Sequence, residues 1–208
     1  MNKKHLQSEQ TKRGILLAAG QLFREKGYSA TSIEDIVAVT GKSKGNIYYH
    51  FGSKEALFLY LLEDWETEWR SSWLEKEPLL STFSEKIDGL FQTMANDMYH
   101  PLTNVMDEFL SKEWNNTKIQ ASVTNYVEGH IAFIRDIIEI AMLDGEIAID
   151  DSKSLATILE TMIQGLGLMA SRTNDKEMKV LYRKAAQVFL QGVLNPKPYL
   201  SWYYNQTK

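Results

Sequence analysis

The chain of 208 residues contains no cysteine. A disulfide framework, a cysteine-ligated zinc site and a thiol nucleophile are therefore excluded together. Proline (4 residues) and glycine (12) are too scarce for a disordered or collagen-like chain. No run of about 18 apolar residues exists, so no membrane span is expected. The segment 1–11 is polar and offers no apolar stretch for a secretory signal. His5, His100 and His130 stand without a second ligand at helical spacing, so no metal and no cofactor are implied. What remains is an intracellular, cytoplasmic chain, 44% hydrophobic, with enough apolar content for a core in one large or two small domains.

Charge of one sign is scarce in each part of the chain. Up to Lys54 nine basic residues face four acidic ones, a balance of +5. The rest holds fourteen basic and twenty-three acidic residues, a balance of −9, so the two parts are expected to meet different partners. A basic segment attracts phosphate, because neutralising phosphates releases condensed counterions.

Helical periodicity runs from end to end. Ile15, Leu16, Ala19, Leu22 and Phe23 hold one helix face, and Gly27 ends that run. Thr31-Ser32-Ile33-Glu34 fits a capping box that opens a second helix, closed at Gly41. Ser43 can cap a third helix through about His50, and Ser53 a fourth from Lys54. Further stripes run from Leu57 to Trp73, Phe83 to Met98, Val105 to Trp114 and Val123 to Ala141. Ser152–Arg172 and Asp175–Leu194 are apolar over a wider arc than one core face needs. A helix apolar on two sides is buried on two sides, and in a small protein the second side is often another subunit. Gly165 and Gly167 weaken the first of these helices, and close helix approach is a reason to keep them. No strand pattern, internal repeat or low-complexity segment competes.

Two short helices joined by a glycine turn in a basic segment describe a helix-turn-helix. Residues 32–40 form its first helix, Gly41-Lys42-Ser43 the turn and Lys44 to His50 the recognition helix, whose N-terminal residues belong near base edges. Lys44 is a donor, Gly45 permits close approach, and the Asn46 amide can pair bidentately with adenine. Tyr48 and Tyr49 add ring surface and hydroxyls, while His50 and Lys54 lie where the backbone passes.

The spaced elements Gly27-Tyr28-Ser29-Ala30-Thr31-Ser32-Ile33, Gly41 through Phe51 and Lys54-Glu55-Ala56-Leu57 resemble the N-terminal domain of TetR-type (TetR/AcrR) transcriptional regulators over about Thr11 to Leu62. The resemblance implies an all-α homodimer with an N-terminal three-helix DNA-binding domain and a C-terminal helical domain for ligand binding and dimerisation. On that reading residues 1–54 are the DNA reader, with the helix-turn-helix at about 32–51, and 55–208 bind effector and partner. It implies DNA contacts from Lys44, Asn46, Tyr48, Tyr49, His50 and Lys54, with Tyr49, His50 and Lys54 mainly on phosphates. Position in the motif adds Ser32, Lys42, Ser43 and Gly45.

Enzyme motifs are false leads. Gly41-Lys42-Ser43-Lys44-Gly45 matches a nucleophile elbow, but helical residues precede it where a strand is required. The same glycine and lysine resemble the end of a phosphate-binding loop, yet Ile36 stands where the first glycine should be. No catalytic residues are expected, and the chain is not expected to be an enzyme. Trp65, Trp69, Phe91, Met94, Met98, Phe109, Tyr126, His130 and Phe133 are candidates to line an apolar effector pocket. The acidic balance favours a cationic lipophilic effector over an anion. Leu159, Ile163, Leu166, Tyr182 and Phe189 are the candidate dimer residues. The expected function is a repressor released from a palindromic double-stranded operator by a small hydrophobic effector. The alternative is a helical carrier of small molecules or lipids whose basic end is incidental.

Overall fold

The computed structural model describes residues 3–97, 102–170 and 174–194. Its helices are α1 (Lys3–Lys26), α2 (Ile33–Thr40), α3 (Lys44–Phe51), α4 (Lys54–Lys76), α5 (Phe83–Asp97), α6 (Thr103–Glu113), α7 (Thr117–Leu143), α8 (Ser152–Ala170) and α9 (Asp175–Leu194). One 3-10 turn, Glu77–Leu79, follows α4, and no strand occurs among the described residues. None of the described helices is long and apolar enough to cross a membrane. The fold is all-α, as the periodicity predicts.

The chain packs as two units. The first comprises Met1–Glu75 and Tyr99–Thr124. Its core gathers Ile15, Ala19 and Phe23 of α1, Ile36 of α2, Ile47 of α3, Leu57 and Phe58 of α4, Val105 and Phe109 of α6, and Ile119 of α7. Aromatic edges fit this core together: Phe23 and Phe58 meet at 5.2 Å and Tyr28 and Phe109 at 4.9 Å between ring centroids. Such offset or edge-on pairs add to the stabilisation from burial itself. The DNA-reading helices thus share their core with α4 and α6. This division by packing differs from the functional one expected at residue 54.

The second unit comprises Lys76–Met98 and Asn125–Lys208. Here α9 packs on both α5 and α8. A capping box opens α5: the Glu85 amide donates to Thr82 Oγ1 (3.2 Å) and the Thr82 amide to Glu85 Oε2 (3.1 Å). The Phe83 amide donates to Glu146 of the α7–α8 connection at 2.8 Å.

Two sequence expectations shift. The first helix begins at Lys3, well before its apolar stripe, because a helix anchored by buried Ile15, Ala19 and Phe23 propagates cheaply into a polar segment. The capping box of α2 lies one residue later than expected. Ser32 is the N-cap and Asp35 its reciprocal partner, with the Asp35 amide donating to Ser32 Oγ (3.1 Å) and the Ser32 amide to Asp35 Oδ2 (2.8 Å). Thr31 is buried instead, its hydroxyl 2.8 Å from the Gly27 carbonyl oxygen and 3.2 Å from that of Leu22. Satisfying a buried hydroxyl there outweighs a cap that the next residue can supply.

Candidate nucleic-acid interface

The turn between α2 and α3 is built by Gly41 at φ 64°, ψ 12°, where a β-carbon would be strained. Its N–H closes α2 onto the Val37 carbonyl at 2.9 Å. Ser43 then caps α3, its Oγ accepting from the Asn46 amide at 3.2 Å. Ile47 and Phe51 are buried and fix the rotation of α3, so Lys44, Gly45, Tyr48 and Tyr49 lie exposed. Tyr49 is 81% exposed and Tyr48 41%, a degree of aromatic exposure that packing alone does not explain. Lys42 and Ser43 stand exposed in the turn, while Ser32 and His50 are half-buried. The His50 ring lies edge-on to Tyr49 at 5.1 Å.

Two of the expected contact residues are already engaged, and a third is partly enclosed. Lys44 is ion-paired with Glu34 across the turn. That bond raises the lysine pKa and lowers that of the carboxyl. Lys54 points inward: its Nζ donates to the carbonyls of Tyr28 and Thr31, both at 3.0 Å, and sits 4.2 Å above the Tyr28 ring. Burial pulls its pKa down. The structure thus gives Lys54 a positioning task in the α1–α2 turn. Asn46 is half-buried, and its enclosed Oδ1 has no hydrogen-bond partner. Bidentate pairing with adenine needs both amide atoms outward, which this side-chain conformation does not offer.

Sequence reasoning missed the support behind the reader. Glu108 of α6 accepts from the backbone amides of Tyr28 (2.7 Å) and Ser29 (3.0 Å) in the α1–α2 turn. These bonds hold its carboxyl pKa below the ordinary value. Gly27, at φ 83°, has no room for a side chain, because a β-carbon would stand 2.7 Å from Glu108 Oε2. Lys54 holds the same turn by its carbonyls. Eighty positions separate Tyr28 from Glu108, and no local signal announces the pair.

The candidate effector residues fall in both units. Phe109 is fully buried in the first unit against Phe58 (4.6 Å) and Tyr28 (4.9 Å), so it is core beneath the reader, which corrects its assignment to a pocket wall. Trp65 is half-buried against the same core, and Trp69 is buried. In the second unit Phe91 is buried beside Tyr182 (6.3 Å), and Met94, Tyr126 and Phe133 are half-buried. Met98 lies outside the described residues. His130 and Glu160 are both buried, with Nδ1 3.6 Å from Oε1, and the Tyr126 ring lies 4.6 Å from that of His130. Gln164 donates to Glu160 Oε1 at 2.7 Å, whereas Oε2 has no hydrogen-bond partner. Glu160 was not expected; its place among Ala156, Leu159 and Ile163 on the buried face of α8 is the signal. A groove of about 290 Å³ between α5 and α9 is lined by Phe91 and Tyr182 and rimmed by Asp88, Lys179 and Arg183. Among the described residues no group of three or more His, Asp or Glu is placed to hold a metal ion.

The candidate dimer residues also need correction. Leu159, Ile163, Tyr182 and Phe189 are buried within the protomer, and Leu166 is half-buried. The apolar side chains left exposed on α8 and α9 are Ile158, Leu168, Met169, Val180, Leu181, Val188 and Leu194. Both arcs of these helices are apolar, and the protomer's own core takes the arc that the sequence suggested for a partner. A β-carbon at Gly165 would meet nothing within 4 Å, and one at Gly167 only the Tyr182 hydroxyl at 3.8 Å, so close approach inside the protomer is not their reason.

A capped helix, a left-handed glycine turn and a second capped helix with its tyrosines and lysine outward define a helix-turn-helix DNA-binding protein. Residues 15–61 match the family model for bacterial regulatory proteins of the tetR family, and residues 65–195 match that for the C-terminal region of QacR-like proteins. The chain is 31% identical over 180 residues to the HTH-type transcriptional regulator QacR of Staphylococcus aureus, covering 86% of this chain and 96% of that protein. It is 26% identical over 202 residues to the HTH-type transcriptional regulator UidR of Escherichia coli, covering 93% and 94%. A TetR transcription regulator from Haloarcula marismortui shares the fold with a TM-score of 0.76 at 18% identity, over 89% of this chain and 98% of that one. The chain belongs to the tetR family, with a QacR-like C-terminal region. It is a ligand-responsive, DNA-binding repressor of transcription, and the carrier reading is not favoured.

Proposed function

We propose that this repressor binds a near-palindromic operator as a homodimer and is released by a small lipophilic cation, acting by binding alone. Residues 1–54 read DNA, with Lys44, Asn46 and Tyr48 toward bases and Lys42, Ser43, Gly45, Tyr49, His50 and Lys54 toward the backbone. Residues 55–208 supply the effector site and the dimer interface. Exposed apolar residues of α8 and α9 support the interface.

The observation that carries the effector class is Glu160, the one acidic residue among the buried described residues, 3% exposed, with Oε2 unmatched. A buried carboxyl oxygen without a partner is costly. A cation beside it regains that cost, and the Tyr126 face is suited to the same charge. Tetraphenylphosphonium and tetraphenylborate, alike in shape and opposite in charge, test the reading. The cation should displace the protein from a duplex selected from a random pool, followed by fluorescence anisotropy, while the anion should not. Glu160→Gln should weaken the cation about tenfold with ligand-free DNA binding kept. Equal action of both ions would reject it.

A further inference from the structure

Three cations around the recognition helix have a partner within the protein. Lys26 bonds Asp35 at 2.8 Å, Lys54 bonds two carbonyls, and Lys44 pairs with Glu34. The acidic partners differ in what else they do. Asp35 completes the cap of α2 through Ser32. Glu34 sits beside it in the first turn of α2, exposed and outside the Ser32–Asp35 capping box, and its carboxylate also accepts from its own backbone amide. Its side-chain hydrogen-bond partner is Lys44, the first residue of the recognition helix, ten positions along the chain. Both side chains are more than half exposed, on the surface that α3 presents to DNA.

A lysine in that place has two ways to bind a duplex. It can neutralise any phosphate, which adds affinity without sequence information, or it can donate to the O6 and N7 of a guanine, which adds specificity. A carboxylate hydrogen-bonded to the ammonium alters that choice. An exposed ion pair contributes little stability, so a well-placed base edge can share or displace the carboxylate. A phosphate approaching Lys44 meets the Glu34 charge at the same time, and loses most of the gain. We propose that Glu34 is a specificity-determining residue, holding Lys44 away from phosphates so that this lysine contributes only where a base-edge acceptor is in register. The proposal rests on the DNA-binding role of the family and not on the effector reading.

The magnitude follows from counterion release. One phosphate contact changes log K by about 0.9 per decade of salt. Taken as neutral at about 1 M salt, one such contact is worth roughly fivefold in affinity at about 0.15 M. Glu34→Gln frees Lys44 for that contact on any sequence. Anisotropy titrations on a selected duplex and on a random duplex of equal length, over a salt series, read the effect. The expected result is about fivefold tighter binding to the random duplex and less than twofold change on the selected one. The random-duplex salt slope should steepen by about one. In a Lys44→Ala background the same Glu34→Gln change should leave the slope unaltered. That arm separates the proposal from plain repulsion between Glu34 and DNA, which needs no lysine. An unchanged slope in Glu34→Gln, equal steepening in both backgrounds, or equal tightening on both duplexes would each overturn it. Both positions are exposed, and a thermal melt within a few degrees of wild type confirms that each variant is folded.

Discussion

Phe109 decides between two accounts of α6. As a pocket wall it should matter to the ligand; as core beneath the reader it should matter to the fold. The structure places its ring, fully buried, edge-on to Tyr28 and tilted against Phe58, among residues from α1, α4 and α6. Phe109→Ala removes the benzyl group and leaves a cavity that these neighbours, themselves fixed by Phe23 and by each other, cannot fill. Phenylalanine-to-alanine changes in such cores cost about 3–5 kcal/mol. Two aromatic pairs are lost as well, each worth about 0.5–1.5 kcal/mol beyond burial, which places this site in the upper half of that range. Against a total stability of about 5–15 kcal/mol the loss is large. For a chain of this size about 2–4 °C of melting temperature goes with each kcal/mol, so a fall of roughly 8–20 °C is expected. Circular dichroism at 222 nm on heating reads it directly. DNA binding should fall at temperatures near the new midpoint and return on cooling. A melting temperature within about 2 °C of wild type would refute the core assignment and return Phe109 to a pocket.

Two further predictions test the other assignments. Leu168→Glu with Val188→Glu, both exposed in the protomer, should give a folded monomer by sedimentation, whereas Leu159→Glu should lower the melting temperature sharply, because an unpaired buried charge costs about 3–5 kcal/mol. A doubly substituted protein that still sediments as a dimer would exclude this face. Glu108 binds the α1–α2 turn as a carboxylate with its folded pKa below the ordinary 4.5, so its stabilisation is present above that value and is lost as the pH falls through the lower folded one. Urea midpoints of wild type and Glu108→Gln should therefore differ at pH 7 and converge toward pH 3; parallel curves would show that the carboxylate charge is irrelevant to the turn.

The helices were legible because each carries a stripe that burial in the protomer requires. Ile15, Ala19 and Phe23 announce α1, and Leu57 and Leu61 announce α4, whatever packs against them. The glycine turn and serine cap of the helix-turn-helix were equally plain, since their chemistry is local. Periodicity fails where it has two answers. Along α8 and α9 both arcs are apolar, so the stripe could not say that Leu159 and Tyr182 face inward while Leu168 and Val188 face outward. It also fails for a contact whose halves lie far apart in the chain. Glu108 reads as one more exposed acid on α6 until the α1–α2 turn is folded against it with two amides outstretched.

Charge counting fails for a related reason. The balance of +5 up to Lys54 treats every lysine as available to phosphate. Folding spends part of that charge internally: Lys26 on Asp35, Lys44 on Glu34, Lys54 on two carbonyls of the turn that Glu108 holds from the other side. Each of these links fixes a piece of the reader relative to the next, α1 to α2, α2 to α3, and α4 to the α1–α2 turn. The same residues that a count assigns to affinity are thus already bonded within the reader. A reader built this way gains less from phosphates than its composition suggests, and must draw more of its affinity from the exposed face of α3, where Tyr48 and Tyr49 stand without a core to cover them.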